Sequence, residues 1–204
     1  MLSDFGLVII GAHSGAHLHD LISRYNKKQI LLVEPVPYNY EKLEVNFNNL
    51  ENIHICKNGV LDKHKLDNFY YIKKDSIKKL GKHWASGIGS FDKNHILNHR
   101  SKRFKVKDED IQTKQIEFIT FNELAKKFSI KSIDMLQIDV EGAEYQIMSF
   151  INYDKIEIKQ ILFEAKHFDG TFKEGKKLED IKKLLISKNY KLKKIDNENI
   201  LATK

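Results

Sequence analysis

The chain has 204 residues, 41% of them hydrophobic, and its 35 Lys and Arg against 28 Asp and Glu give a net charge of +7; this is enough to bury a sizeable core and excludes a wholly disordered chain. No apolar run approaches the ~18 residues of a membrane span, and no basic segment precedes the first apolar run, so neither a spanning helix nor a secretory signal is expected. The positive balance biases the surface toward anions, while the lone Cys56 excludes an internal disulfide and suits a small core hydrophobe in a reducing, cytoplasmic setting.

Taken in chain order, Leu7 to Ile10 is an unbroken apolar run ended by Gly11, the pattern of a strand buried on both faces. After Gly15, the residues Leu18, Leu21, Ile22 and Tyr25 follow the spacing of one helical face. Gln29 to Glu34 repeats the buried-strand pattern, Pro35 and Pro37 stop it, and Tyr40, Leu43 and Phe47 give a second helical stripe. Asn52 to Cys56 reads as a third strand closed by the turn pair Asn58-Gly59. From Leu61 to about Ile116 the pattern is less regular, with strand-like pieces such as Phe69 to Ile72, the glycine- and serine-bearing segment Trp84 to Ser90, and the basic run His99 to Lys105. This stretch is expected to form an inserted flap between the third and fourth strands, within a single domain covering residues 1–204.

Regularity returns at Ile116. Thr120 and Glu123 have the spacing of a capping box ahead of Phe121, Leu124, Ala125 and Phe128. Ser132 to Ile138 is a fourth strand, followed by Asp139-Val140-Glu141-Gly142 and a helix carrying Ile147, Met148 and Ile151. Ile158 to Phe163 is a fifth. Leu178, Ile181, Leu184 and Leu185 mark the last helix, after which Tyr190 to Ile195 and Asn199 to Ala202 read as a closing antiparallel hairpin. Strands alternating with amphipathic helices imply right-handed crossovers and a mostly parallel central sheet, an α/β fold.

In such a sheet, ligands sit beyond the carboxyl ends of the strands, so the Gly11 to Gly15 turn, Glu34, the Cys56 to Gly59 stretch and Asp139 to Glu141 converge on one rim. Glycines let backbone approach a ligand closely, and a carboxylate ending the second strand is placed to accept hydrogen bonds from both ribose hydroxyls of an adenosine. The turn lacks the G-x-G-x-x-G pattern of a pyrophosphate site, because His13 stands where its second glycine belongs. The hairpin and the acids after the fourth strand suit S-adenosylmethionine instead.

The segments VIIGAHSG, LLVEPVPYNYEKLEVN, IEFITFNELAKKF, SIDMLQIDVEGAEYQIM and ILFEAKHF, in this order, resemble the FkbM-type methyltransferases over nearly the whole chain. The most specific pieces are Glu34-Pro35 with Tyr40 and Asn46, and Ile138 to Glu144. The resemblance implies a class I Rossmann-like methyltransferase that moves a methyl group from S-adenosylmethionine to a hydroxyl of a small-molecule or glycan acceptor. It implies that Gly11, Ala12 and Gly15 bed the methionine part, that Glu34 holds the ribose with Pro35 beside it, that Asn58 and Gly59 border the adenine, and that Asp139 lies nearest the transferring methyl. His13 takes a place where the family often has Asn, and Ile9 stands where an acid usually precedes the first glycine by two positions. The chain enters its first strand within a few residues, so an upstream segment that helps cover the substrate in longer relatives is expected to be missing.

Methyl transfer mainly needs alignment, but an alcohol acceptor must also lose a proton, which a carboxylate or imidazole in reach can take. Asp139 is the first candidate; Glu141, Glu164 and His167 are the others, with helix capping an equal reading for Glu141. No metal is assigned: Asp139 and Glu141 have the chemistry for magnesium, and His13 and His17 have i, i+4 spacing, but the latter pair lacks the adjacent glutamate of a zincin motif. Trp84 is a candidate acceptor platform or a core residue, and Arg100, Lys102, Arg103 and Lys105 a solvated edge rather than a phosphate clamp. Two other functions remain open. Charge alone admits an RNA methyltransferase, yet there is no N-P-P-Y-like sequence after the fourth strand and no RNA-binding module, so nucleic acid is not the expected partner. Ile9 admits a catalytically impaired protein that binds an adenosyl cofactor.

Overall fold

A computed structural model describes residues 3–81, 83–98, 105–166, 168 and 175–204, the side chains of His83 and Trp84 excepted. The first half holds β1 (Ser3–Ile10), α1 (His19–Tyr25), β2 (Gln29–Val33), α2 (Pro37–Phe47), β3 (Ile53–Cys56), β4 (Gly59–Leu61), β5 (Lys65–Ile72), α3 (Lys74–Leu80), β6 (Gly89–Ser90) and α4 (Lys93–Asn98). The second half holds β7 (Ile111–Thr120), α5 (Phe121–Lys127), β8 (Ile130–Ile138), α6 (Glu144–Ser149), β9 (Glu157–Glu164), α7 (Lys176–Ser187), β10 (Lys191–Lys194) and β11 (Asn199–Thr203). Among the described residues no helix is long and apolar enough to cross a membrane.

Seven strands form one sheet in the order β10-β11-β9-β8-β1-β2-β3. β1 sits inside it, parallel to β2 on one side and to β8 on the other, and this explains its apolar run: Phe5 and Leu7 to Ile10 are each at most 2% exposed. Phe5, Val8 and Ile10 face a large core shared with α5, α6 and α7, while Leu7 and Ile9 join Leu18, Ile22, Leu43 and Phe47 under α1 and α2. Each such side chain contributes ~1.5–3 kcal/mol by leaving water. Ile9, in the position where an acid is usual, is a core residue of the α1–α2 layer. The expected hairpin is present, β10 and β11 pairing antiparallel and β11 joining β9 in the same sense. The capping box at α5 is present too: the Glu123 N–H donates to Thr120 Oγ1 at 3.1 Å and the Thr120 N–H donates to Glu123 Oε2 at 2.8 Å.

The middle of the chain differs from a loose flap. It builds a second sheet of four strands, ordered β4-β7-β5-β6, running from Gly59 to Thr120 and so beyond the limits 61–116 read from the sequence. Asn58-Gly59 is not a turn that closes β3, because Gly59 opens β4, which pairs parallel with β7 at Phe118. Val60, Leu61, Phe69, Tyr71, Ile116 and Phe118 of this sheet belong to the same buried cluster as Val8, Leu31 and Ile138 of the large sheet. The two sheets therefore exclude water together, and the second sheet is positioned against the first by packing rather than hung from it by its ends.

Candidate functional site

The carboxyl ends of β1, β2, β3 and β8 open into a cavity of about 620 Å³, counting the space open to solvent. Gly11, His13, Glu34, Pro35, Asn58, Gly59, Asp139 and Glu141 all line it. Its opposite wall comes from the second sheet, with Leu61, Phe69, Gly89, Ser90, Phe91 and Phe118. Ala12 and Gly15 do not line it. Ala12 is fully buried in the α1–α2 layer, and Gly15 backs onto α2, where a Cβ would meet Leu43 at 2.5 Å and Phe47 at 2.6 Å. His167 and the residues Arg100, Lys102 and Arg103 lie outside the described residues, as does the Trp84 side chain.

Glu34 is the best-anchored group of the site. It is 5% exposed, its Oε2 accepts the His13 N–H at 2.9 Å, and its Oε1 accepts the Val36 N–H at 2.9 Å. Burial pushes its carboxyl up to about 7 against the pull of those two hydrogen bonds. The donor at His13 exists because the turn passes through left-handed backbone at Gly11, His13 and Gly15, with φ of 91°, 52° and 72°. Such a conformation is strained for histidine, and the side chain is held in place: Nε2 lies 2.7 Å from Ser86 Oγ. Ser86, in the 3-10 turn His83–Ser86, also accepts at its carbonyl from Asn39 Nδ2 at 2.8 Å. A buried polar link thus joins the glycine turn, α2 and the chain segment entering β6. Burial first, then the charges of His17 and Lys42, lower the His13 imidazole to about 4, so it is neutral near pH 7.

Asn58 borders the cavity with its side chain already engaged, donating to Glu117 Oε2 at 2.7 Å and accepting from Lys127 Nζ at 2.8 Å. Cys56 is buried behind it, with its thiol raised by that burial, as a core position requires.

At the end of β8, the Asp139 N–H donates to the Ile10 carbonyl at 3.0 Å, which seats the acid beside Gly11. Burial, then the charges of Glu141 and Glu198, raise the Asp139 carboxyl to about 6. Glu141 takes a left-handed φ of 57° and lies with Oε2 3.8 Å from Nε2 of the buried His95 on α4. Glu141 does not cap α6, whose N-cap is Ala143 with no side-chain cap. The backbone donors there, Val140 and Gly142, go to Glu144 instead, which the sequence offers only as the last residue of the Ile138 to Glu144 motif, with no role attached. The sequence attaches no role to His95, Ser86 and Asn39 either, since only folding brings them to the site.

Burial raises Glu144 to about 8 and Glu164 to about 9, with the neighbouring acids pushing in the same direction. One carboxylate oxygen from each of Asp139, Glu144 and Glu164 lies within 4.8 Å of the others. These three form the group of three or more close enough to share a cation among the described residues, and Glu141 is not one of them, while the His13 and His17 ring centres stand 6.4 Å apart. Each of the raised carboxyls keeps its proton to higher pH in the folded chain than in the unfolded one, so the stability it contributes is lost as pH rises from about 4.5 toward its folded value. Glu164→Gln needs no such deprotonation. Its thermal midpoint should gain on the wild type between pH 5 and pH 9, by on the order of 5 °C at the scale of a chain this size. A constant difference across that range, by scanning calorimetry, would contradict the assignment.

The sheet order, with its antiparallel hairpin at one edge, and the glycine turn and two strand-terminal acids around one cavity define a class I methyltransferase-like α/β protein. The sequence matches the Methyltransferase FkbM domain over residues 10–192, and the chain belongs to the FkbM methyltransferase family. Methyltransferase FkbM from Methylobacillus flagellatus KT has the same fold, with a TM-score of 0.52 and 14% identity over 100% of this chain and 44% of that one. The chain therefore spans less than half the length of that relative. SMU.1697c from Streptococcus mutans, solved in complex with SAH, has a TM-score of 0.50 and 9% identity, covering 100% of this chain and 90% of that one. No curated protein matches the chain.

Proposed function

We propose that the chain is a single-domain, cytoplasmic S-adenosylmethionine-dependent methyltransferase that methylates a hydroxyl of an uncharged small molecule or glycan. The observation that carries this reading is Glu34: a nearly buried carboxylate at the end of β2, oriented by two backbone N–H groups, on the wall of the cavity shared by Gly11 and Asp139. A carboxylate at that point of an α/β rim suits the two hydroxyls of a ribose. The cavity also suits a cation. Its lining carries Glu34, Asp139 and Glu141, and among the described residues lining it none is Lys or Arg, while His13 is neutral.

In this reading Gly11, Ala12, His13 and Gly15 shape the turn that beds the amino-acid part of the cofactor, Glu34 with Pro35 holds the ribose, and Asn58 and Gly59 border the adenine. When bound, S-adenosylmethionine supplies a methyl group already activated by its sulfonium. The chain's task is then to align an acceptor oxygen and take its proton. Asp139, exposed toward the cavity and raised to about 6, is placed to accept that proton near neutral pH, with Glu141 next to it. The same lining speaks against a polyanionic acceptor such as RNA, since the basic excess of the chain is not found among the described residues of the cavity wall.

The test is binding and transfer together. S-adenosylhomocysteine should bind by calorimetry, and labelled methyl should pass from S-adenosylmethionine to polyols or glycans in alkali-stable, ether-like linkage. Because ribose hydroxyls donate to the ionised carboxylate, affinity should weaken about tenfold per pH unit as pH falls well below about 7, the raised value of Glu34. Binding that is flat from pH 5 to pH 8.5, or methyl recovered on RNA, would remove this reading.

A further inference from the structure

The loop from Asp139 to Ala143 carries both acids of the cavity wall and has little regular structure of its own. Its start is fixed: the Asp139 N–H bonds the Ile10 carbonyl, and the Asp139 carbonyl fills the place where a side chain on Gly11 would stand. Its far end turns through left-handed backbone twice in succession, at Glu141 with φ 57° and Gly142 with φ 103°. Such a turn holds one shape only if something specific pins it. The pin is Glu144, completely buried, whose Oε1 accepts the Val140 N–H at 2.8 Å and whose Oε2 accepts the Gly142 N–H at 2.9 Å.

Burying an acid, whose carboxyl is here pushed up to about 8, is an expensive way to close a loop, and a serine or asparagine cap ahead of α6 would satisfy backbone donors at lower cost. What a fork of two oxygens adds is geometry: one rigid group spans the two N–H groups on either side of Glu141, so Asp139 and Glu141 project from a loop clamped at both ends. We propose that Glu144 is a positioning residue, which holds the Asp139 carboxylate at the place where a cationic sulfur or nitrogen centre sits in the cavity. This rests on the reading of the cavity as an S-adenosylmethionine site. Glu144 itself does not line the cavity.

The probes are two cofactor analogues that differ in charge at that centre: S-adenosylhomocysteine, a neutral thioether, and sinefungin, which carries an ammonium group there. The wild type should prefer sinefungin, and Asp139→Asn should erase most of the preference. Glu144→Gln keeps shape and volume but turns an amide NH2 toward one backbone N–H, so one clamp opens. The preference should then fall about tenfold, the effect of withdrawing a unit charge by about 2 Å, while S-adenosylhomocysteine affinity stays within about threefold. A purely structural role would lower the thermal midpoint and leave the ratio of the two affinities alone. Gly142→Ala leaves the Glu144 side chain and its backbone donors chemically unchanged but strains the same turn, at a residue whose φ is 103°, and should give the same loss. An unchanged ratio in either folded variant overturns the proposal. A wild type that binds neither analogue instead defeats the cofactor reading beneath it, and the two failures are distinguished by the wild-type measurement alone.

Discussion

Glu34→Ala should weaken S-adenosylhomocysteine binding about a hundredfold or more at pH 8, where the carboxyl is ionised. The magnitude follows from the loss of two charge-assisted hydrogen bonds at ~1.5–3 kcal/mol each. The same substitution strands two buried N–H groups, those of His13 and Val36, which now donate to Oε2 and Oε1 at 2.9 Å. Each orphaned donor costs ~1–3 kcal/mol, so the thermal midpoint should fall as well. Glu34→Gln separates the two effects. Its amide oxygen still accepts one N–H, so stability should recover in part, whereas affinity should not, because the amide lacks the charge that both ribose hydroxyls seek. Calorimetric titration of the three proteins checks this, and Glu34→Ala with affinity within about threefold of wild type would refute the assigned role.

Gly11→Ala is expected to be the most damaging single substitution in the glycine turn. The new Cβ would lie 1.8 Å from the Asp139 carbonyl oxygen and 2.9 Å from its carbon, at a residue whose φ is 91°. Both obstructing atoms are backbone of the adjoining strand end, fixed by the Asp139 to Ile10 hydrogen bond, so they cannot swing aside as a flexible side chain would. The strand pair must separate at the cavity, which places the cost beyond ~4 kcal/mol and the midpoint ~10 °C or more lower. Gly81→Ala provides the comparison. Its φ is 65° but nothing lies within 4 Å of the added carbon, so only conformational strain of ~1–2 kcal/mol remains. If thermal denaturation finds the two variants equally stable, the close approach of β1 and β8 at Gly11 is wrong.

The centre of the large sheet was legible because β1 and β2 are buried on both faces, and double burial writes itself as runs such as Leu7 to Ile10 and Ile30 to Val33 that need no knowledge of neighbours. The closing hairpin announced itself by the polar Asp196-Asn197-Glu198 turn between two short strands. The second sheet was not legible. β7 runs ten residues, yet Gln112 to Gln115 are all exposed, so its first half carries no alternating apolar signal. What makes it a strand is an eight-residue antiparallel match with β5, from Lys65–Phe118 to Ile72–Ile111, and such long-range pairing leaves no local mark. β4 is shorter still and exists by virtue of β7.

The site divides along the same line. Gly11, Glu34 and Asp139 could be read because strand-terminal position alone sends them to one rim. Gly15 stands behind the cavity wall, where its small size makes room for Leu43 and Phe47, a packing demand that the sequence alone does not reveal. The groups that hold the site's shape were missed where their partners are distant in sequence, as with Ser86 and His13, 73 residues apart. Glu144 was missed for the opposite reason. Its partners Val140 and Gly142 are near neighbours, but an acid in the first turn of a helix already has a sufficient ordinary explanation, and nothing in the sequence says that its carboxylate points backward.

The most direct test of the account is a crystal structure of the chain grown with S-adenosylhomocysteine at pH 8. The nucleoside is expected in the cavity between Gly11 and Gly59, with both ribose hydroxyls on the Glu34 carboxylate and the sulfur toward Asp139. A nucleoside bound elsewhere, or seated in this cavity with its ribose away from Glu34, would contradict it.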